Sequence, residues 1–146
     1  MFSERIEFVQ RKFGSVFPQD NEAIFFNPET PSHCLSLSLD KLVAYQTLFP
    51  VVDQLETAGI KCVQSISQWK FNLAIISIPK SKKLARHLIY LATKAVPEGL
   101  IIVDGNKSNG IESIIRDLEK KIKIKNVVSK AHGKTAWFET PADLEI

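Results

Sequence analysis

The feature that most constrains this chain is a pair of short, almost uninterrupted apolar runs, each followed by residues in helical period. The first is Asn72–Ile78 (Asn-Leu-Ala-Ile-Ile-Ser-Ile) and the second is Leu100–Val103 (Leu-Ile-Ile-Val). A strand with one solvated face alternates polar and apolar residues; a strand covered on both faces has no need to. Pro79 ends the first run and Ser81 is placed to cap a helix. Leu84, Leu88, Leu91 and Ala95 then recur at helical spacing. After the second run, Gly105–Gly110 reads as a loop, and Ile111, Ile114, Ile115 and Leu118 mark another helix. Strand and helix in alternation predict a mainly parallel sheet with helices on both faces.

The flanking segments extend that pattern. Ser3–Phe13 carries Ile6, Val9 and Phe13 at helical spacing, with Ser3 as a possible cap. Ala23–Phe26 is a short apolar run closed by Asn27-Pro28, which predicts a buried strand. The alternation Leu35, Leu37, Leu39 predicts a short half-buried strand. Asp40 is expected to cap a helix from Lys41, interrupted at Pro50, so that two helical pieces end near Ala58-Gly59. Ile60–Val63 predicts a short strand, and Pro97-Glu98-Gly99 a turn. Lys125–Ser129 and Thr135–Phe138 are two strands joined by only Ala131-His132-Gly133-Lys134, which predicts an antiparallel hairpin. The predicted fold is α/β, a three-layer sandwich whose mainly parallel sheet ends in an antiparallel C-terminal hairpin. A class I methyltransferase-like fold has that hairpin, and a Rossmann dinucleotide fold normally lacks it.

With 146 residues and neither linker nor repeat, residues 1–146 read as a single domain. Two cysteines, Cys34 and Cys62, are too few for a disulfide-stapled secreted domain, so a reducing cytoplasm is expected. The N-terminus lacks the pattern of a signal peptide, and no apolar run approaches the ~20 residues that span a bilayer. No membrane partner is therefore expected. A net charge of +3 is mildly basic and does not by itself indicate nucleic acid.

Three segments carry a family resemblance. They are Ile78-Pro79-Lys80-Ser81-Lys82-Lys83-Leu84-Ala85-Arg86, then Val103–Ser113 with its Asp-Gly-Asn-Lys-Ser-Asn-Gly loop, then Lys130-Ala131-His132-Gly133-Lys134-Thr135-Ala136-Trp137-Phe138. Their order and spacing resemble the N-terminal domain of the bacterial small-subunit ribosomal RNA guanine-N2 methyltransferases of the RsmC-like family. The resemblance covers residues 70 to 140 well and the first 60 poorly. It implies two tandem methyltransferase-like domains. The C-terminal one binds S-adenosylmethionine and catalyses; the N-terminal one has lost the cofactor site and supports folding and RNA recognition. This chain is thus expected to be a fragment of a longer protein. Its implied partners are ribosomal RNA and its own C-terminal catalytic domain, with S-adenosylmethionine bound outside this chain.

The residues were also weighed for chemistry of their own. A methyltransferase needs a glycine-rich loop after its first strand and an acid for the cofactor ribose. Asp104, Gly105 and Gly110 imitate that set but follow a late strand, and a tight turn into a helix accounts for them equally. Asn27-Pro28-Glu29-Thr30 begins like the Asn-Pro-Pro-aromatic tetrapeptide that binds an exocyclic amine. It lacks the second proline and the aromatic, so a plain Asn-Pro turn competes with it. His33, Cys34, Cys62, His87 and His132 show no zinc spacing. No catalytic residue is assigned. The RNA candidates are Lys80, Lys82, Lys83 and Arg86 (with His87 beside them), and Lys130, His132 and Lys134. Lys120, Lys121, Lys123 and Lys125 form a third basic run. Two of these clusters merging on one face would contact phosphates, with an aromatic available for stacking; the competing reading is a solvated surface. Trp69 and Trp137 are read as core or rim residues. Two alternatives stand beside the scaffold reading: a minimal S-adenosylmethionine-dependent methyltransferase using Asp104, and a protein-interaction module, with a homo-oligomer possible.

Overall fold

The computed structural model describes residues 2–14, 16–66 and 71–141. Trp69 lies outside the described residues. The elements in chain order are α1 (Phe2–Phe13), β1 (Ala23–Phe26), α2 (Pro31–Leu35), β2 (Leu42–Tyr45), α3 (Phe49–Thr57), β3 (Lys61–Val63), β4 (Leu73–Ser77), α4 (Lys82–Ala95), β5 (Leu100–Asn106), α5 (Ile111–Glu119), β6 (Asn126–Lys130) and β7 (Gly133–Glu139). A single 3-10 turn, Lys107–Asn109, joins β5 to α5.

The strands form one sheet in the order β3-β2-β1-β4-β5-β7-β6. Every pair from β3 to β5 is parallel, and β7 runs antiparallel to both β5 and β6. The all-buried runs of β4 and β5 are central, as continuous apolarity requires. α4 and α5 cover one face, packing on Ile24, Ala74, Ile76, Ile101, Val103 and Phe138. α1, α2 and α3 cover the other, over Phe25, Ala44, Ile75, Ile102, Val128 and Trp137. This is the three-layer α/β sandwich with an antiparallel terminal hairpin, the architecture of class I methyltransferases.

Local signals account for most boundaries. The Ser81 hydroxyl accepts from Leu84 N at 3.1 Å and caps α4. The α5 stripe Ile111, Ile114, Ile115 and Leu118 is buried throughout. The hairpin turns on Ala131 and His132, both with positive φ (49° and 58°), the backbone of a two-residue type I′ turn.

Two expectations fail. Leu35–Leu39 is not a strand: residues 31–35 form α2, with Thr30 at the cap and Pro31 at the first helical position. Cys34 and Leu37, spaced by three, are the buried residues, while Leu35 is 65% exposed. The alternation of leucines was the wrong period to follow. Nor does Asp40 cap a helix. Leu42–Tyr45 is strand β2, in parallel register with Ala23–Phe26, and a single helix α3 follows from Phe49. A four-residue apolar run does not distinguish helix from strand; pairing with β1 decides it. β5 also runs three residues past Val103, to Asn106, because β7 pairs with its whole length.

Candidate functional site

In an open α/β sheet, ligands bind outside the carboxyl ends of the strands, where the strand order reverses. Here the chain steps outward from β1 to β2 to β3 and then returns to place β4 beside β1, so the switch point lies between β1 and β4. Side chains of the chain itself bridge it. Asn27 leaves β1 with φ +65°, a conformation asparagine tolerates, and its Nδ2 donates to Ser77 O at 2.9 Å across the crevice. Gln46, at the end of β2 and 3% exposed, donates from Nε2 to Pro28 O at 2.9 Å and to Asn27 Oδ1 at 3.4 Å. Its Oε1 accepts from Thr47 N at 2.9 Å and Leu48 N at 3.1 Å. No glycine occurs between β1 and the end of α2. A backbone without glycine, laced by buried hydrogen bonds, offers no close approach to a dinucleotide-like cofactor.

Beside the crevice, Asp104 on β5 is 1% exposed and meets Arg5 of α1, also 1% exposed. Arg5 Nε donates to Asp104 Oδ2 at 2.8 Å and Nη2 to Oδ1 at 2.9 Å. Thr135 Oγ1 donates to Oδ2 at 2.5 Å. The guanidinium also donates to Ala131 O at 3.0 Å and Asn106 Oδ1 at 3.0 Å. Arg5 thus ties α1 to the end of β5 and to the hairpin turn at once. Burial pushes the Asp104 carboxyl above its ordinary range, against the pull of Arg5 and Thr135. Both carboxylate oxygens of Asp104 are thus engaged within the domain. Gly105 lets β5 pass close to Ile78 and Ile111, where an added Cβ would stand 3.0 and 3.3 Å away. Gly110 adopts φ +81° at the start of α5. Both glycines meet a backbone requirement at these positions.

A cavity of about 200 Å³ opens next to this pair, lined among others by Phe2, Glu29, His33, Ser77 and Asn109. Burial pushes the His33 imidazole below its ordinary pKa, against the charge of Glu29, and its Nδ1 has no hydrogen-bond partner. Asn27-Pro28-Glu29-Thr30 is the turn between β1 and α2, and no aromatic completes it as an amine-binding tetrapeptide. Among the described residues, no three of His, Cys, Asp and Glu stand together as metal ligands. Burial pushes the Cys34 thiol up to about 12, so it should resist a disulfide exchange reagent at pH 8 while the chain is folded and react at once in denaturant. Rapid labelling of Cys34 in the native protein would refute the packing of α2.

The basic candidates fall on different faces. Lys80 is exposed just beyond β4. Lys82 and Arg86 of α4 lean on α5: Lys82 Nζ stands 3.0 Å and Arg86 Nη2 3.4 Å from Asp117 Oδ2, with Lys120 3.9 Å from Oδ1. Lys125 pairs with Glu139 at 2.9 Å. Lys83 and His87 are exposed on α4. In the hairpin, His132 is exposed at the turn, and Lys130 and Lys134 point to opposite sides of the pleat. Lys130 lies toward α1, with Nζ 4.9 Å from the Phe8 ring centroid. Lys134 shares the side of Ala136 and Phe138, under α4 and α5. The α4 cluster and Lys130 are therefore on opposite faces of the sheet and do not merge. Trp137 is 4% exposed and packs edge-on to Phe13.

Sequence reasoning missed Arg5, Gln46 and Lys12. Only Arg5 left a signal: it is a charge in phase with Phe2, Ile6 and Val9, on the apolar stripe of its helix.

Fold and edge together define a class I methyltransferase-like domain whose switch-point crevice is bridged by its own side chains. The chain belongs to the family described as methyltransferase small domain N-terminal, which matches residues 40–139. No curated protein matches it in sequence. Among solved structures it is similar to the T. thermophilus 16S rRNA N2 guanine methyltransferase RsmC, solved with AdoMet and guanosine. The two are 17% identical with a TM-score of 0.74, over 94% of this chain and 38% of that one. A putative methyltransferase from Pseudomonas syringae is 14% identical with a TM-score of 0.74, over 93% of this chain and 96% of that one. An RNA methyltransferase from Salinibacter ruber, solved with S-adenosyl-L-homocysteine, is 6% identical with a TM-score of 0.62, over 96% and 92%. At these identities the likeness is one of fold, and the chain spans little more than a third of the RsmC structure. Among the described residues no helix is long and apolar enough to cross a membrane.

Proposed function

We propose that this chain is a cofactor-free methyltransferase-like domain that supports folding and RNA recognition in a larger S-adenosylmethionine-dependent RNA methyltransferase. In this reading the chemistry belongs to a C-terminal domain, and the substrate is the N2 amine of a guanine in small-subunit ribosomal RNA. The observation that carries it is the bridging of the crevice by Asn27 and Gln46. Asn27 and Gln46 occupy the end of β1 with hydrogen bonds to Ser77, Pro28, Thr47 and Leu48, where a cofactor domain keeps a glycine loop open. Opening it would strip a buried amide of partners, at a cost of about 1–3 kcal/mol for each unsatisfied group. Family membership and the likeness to RNA methyltransferases support the RNA substrate class.

Titration calorimetry of this chain with S-adenosylmethionine is the test. No binding heat is expected up to about 1 mM ligand, the range in which binding free energy falls to about −4 kcal/mol. Micromolar binding would overturn the reading and favour a minimal methyltransferase in its place.

A further inference from the structure

Resting on the RNA-recognition reading, we propose that single-stranded RNA lies along the seam of α1 and β6, its phosphates held by Lys12 and Lys130 beside Phe8. These two lysines come from elements far apart in sequence and converge on one ring. Lys130 Nζ is 4.9 Å and Lys12 Nζ 5.8 Å from the Phe8 centroid. Lys12 also stands 5.5 Å from the Phe13 ring, and Phe13 is 37% exposed, edge-on to Trp137. Arg11, exposed beside Lys12, adds a third cation.

Charge pairing separates these two lysines from the cations that carboxylates hold on other faces. On the α4–α5 face, Asp117 draws in Lys82, Arg86 and Lys120, and at the sheet edge Glu139 draws in Lys125. Among the described residues, no carboxylate forms an ion pair with Arg11, Lys12 or Lys130. A helix C-terminus favours Arg11 and Lys12 through its dipole alone. That does not account for Lys130, which reaches the same ring from the hairpin. Two like charges gathered at one ring, neither of them in an ion pair with a carboxylate, favour a polyanion. The exposed Phe13 and the half-buried Phe8 favour one that carries bases to stack, and single-stranded RNA has both phosphates and bases. The aromatic component separates this partner from an acidic protein segment.

The test uses the whole chain and a fluorescein-labelled single-stranded RNA of roughly 15 mixed nucleotides, read by anisotropy at several salt concentrations. Lys12→Gln/Lys130→Gln should weaken binding about tenfold at low salt. It should also lower the slope of log affinity against log salt by about 1.4, two contacts at about 0.7 each. Lys82→Gln/Arg86→Gln should change affinity by less than about twofold, because Asp117 already engages those cations. All four positions are exposed, so both variants should melt like the parent. Phe8→Leu keeps apolar packing, removes the ring, and should weaken binding by about threefold, a small part of what one stacked base contributes. If the α4 variant loses affinity while the α1–β6 variant does not, the placement is overturned and the RNA reading stands. If the parent chain binds no RNA, both fall. Displacement of the RNA by poly-glutamate at equal charge concentration would overturn the assignment of partner class.

Discussion

Arg5→Ala should lower the stability of the folded chain by about 3–5 kcal/mol, the cost of leaving one member of a buried ion pair without its partner. Asp104 would then be a buried carboxylate holding only the Thr135 hydroxyl, and the Ala131 and Asn106 oxygens would lose their donor. Thermal melting checks this, with a fall of roughly 10 °C or more expected for a domain of this size. The effect should fall on the pair rather than on α1 alone. Arg5→Met/Asp104→Leu, which replaces both charges with apolar volume, should recover most of the loss. A melting point within about 2 °C of the parent in Arg5→Ala would show that α1 is not anchored through Asp104.

Gly133→Ala should also be strongly damaging. A Cβ there would meet the Arg5 guanidinium and the Gly105 carbonyl. One of these is the end of a side chain held by five hydrogen bonds and the other is backbone of the neighbouring strand, so neither yields cheaply. Overpacking of this kind costs about 1–3 kcal/mol, and the upper end is expected. Coupling makes the prediction sharper. In an Arg5→Ala background the side-chain obstruction is gone, so the two changes should sum to less than their separate costs by at least about 0.5 kcal/mol. Strict additivity in urea melts would refute the shared contact.

These two positions also explain the architecture of the site. Gly133 opens β7, Asp104 lies on β5 and Arg5 is on the first helix, so one ion pair joins three elements that share no local sequence signal. It occupies ground at the sheet edge where an enzyme of this fold would keep ligand contacts. Asn27 and Gln46 do the same for β1, β2 and β4. The edge that would bind a ligand has become the place where the domain is fastened together. Lys12 and Lys130 converge on the α1–β6 face instead.

Much of this protein was determined by local pattern. The continuous runs 72–78 and 100–103 required central strands. Ser81, the Leu84–Ala95 stripe and the Ile111–Leu118 stripe required helices. The four-residue joint at 131–134 required a hairpin. In each case burial period or turn chemistry acts over a few residues and needs no partner to be read. Where partners decide, local pattern was silent or misleading. Leu42–Tyr45 became a strand only because β1 lies beside it, and Leu35–Leu39 followed the Thr30-Pro31 helix start instead of its leucine alternation. Asp104 was visible as an acid after a strand, but its engagement by Arg5, 99 residues away, was not. Basic clusters were countable along the chain, while the face each occupies depended on the pleat of β6 and β7 and on the position of Asp117. Hydrophobic period is a property of the segment. Charge pairing and the bridging of a crevice are properties of segments brought together, and only the tertiary structure decided them.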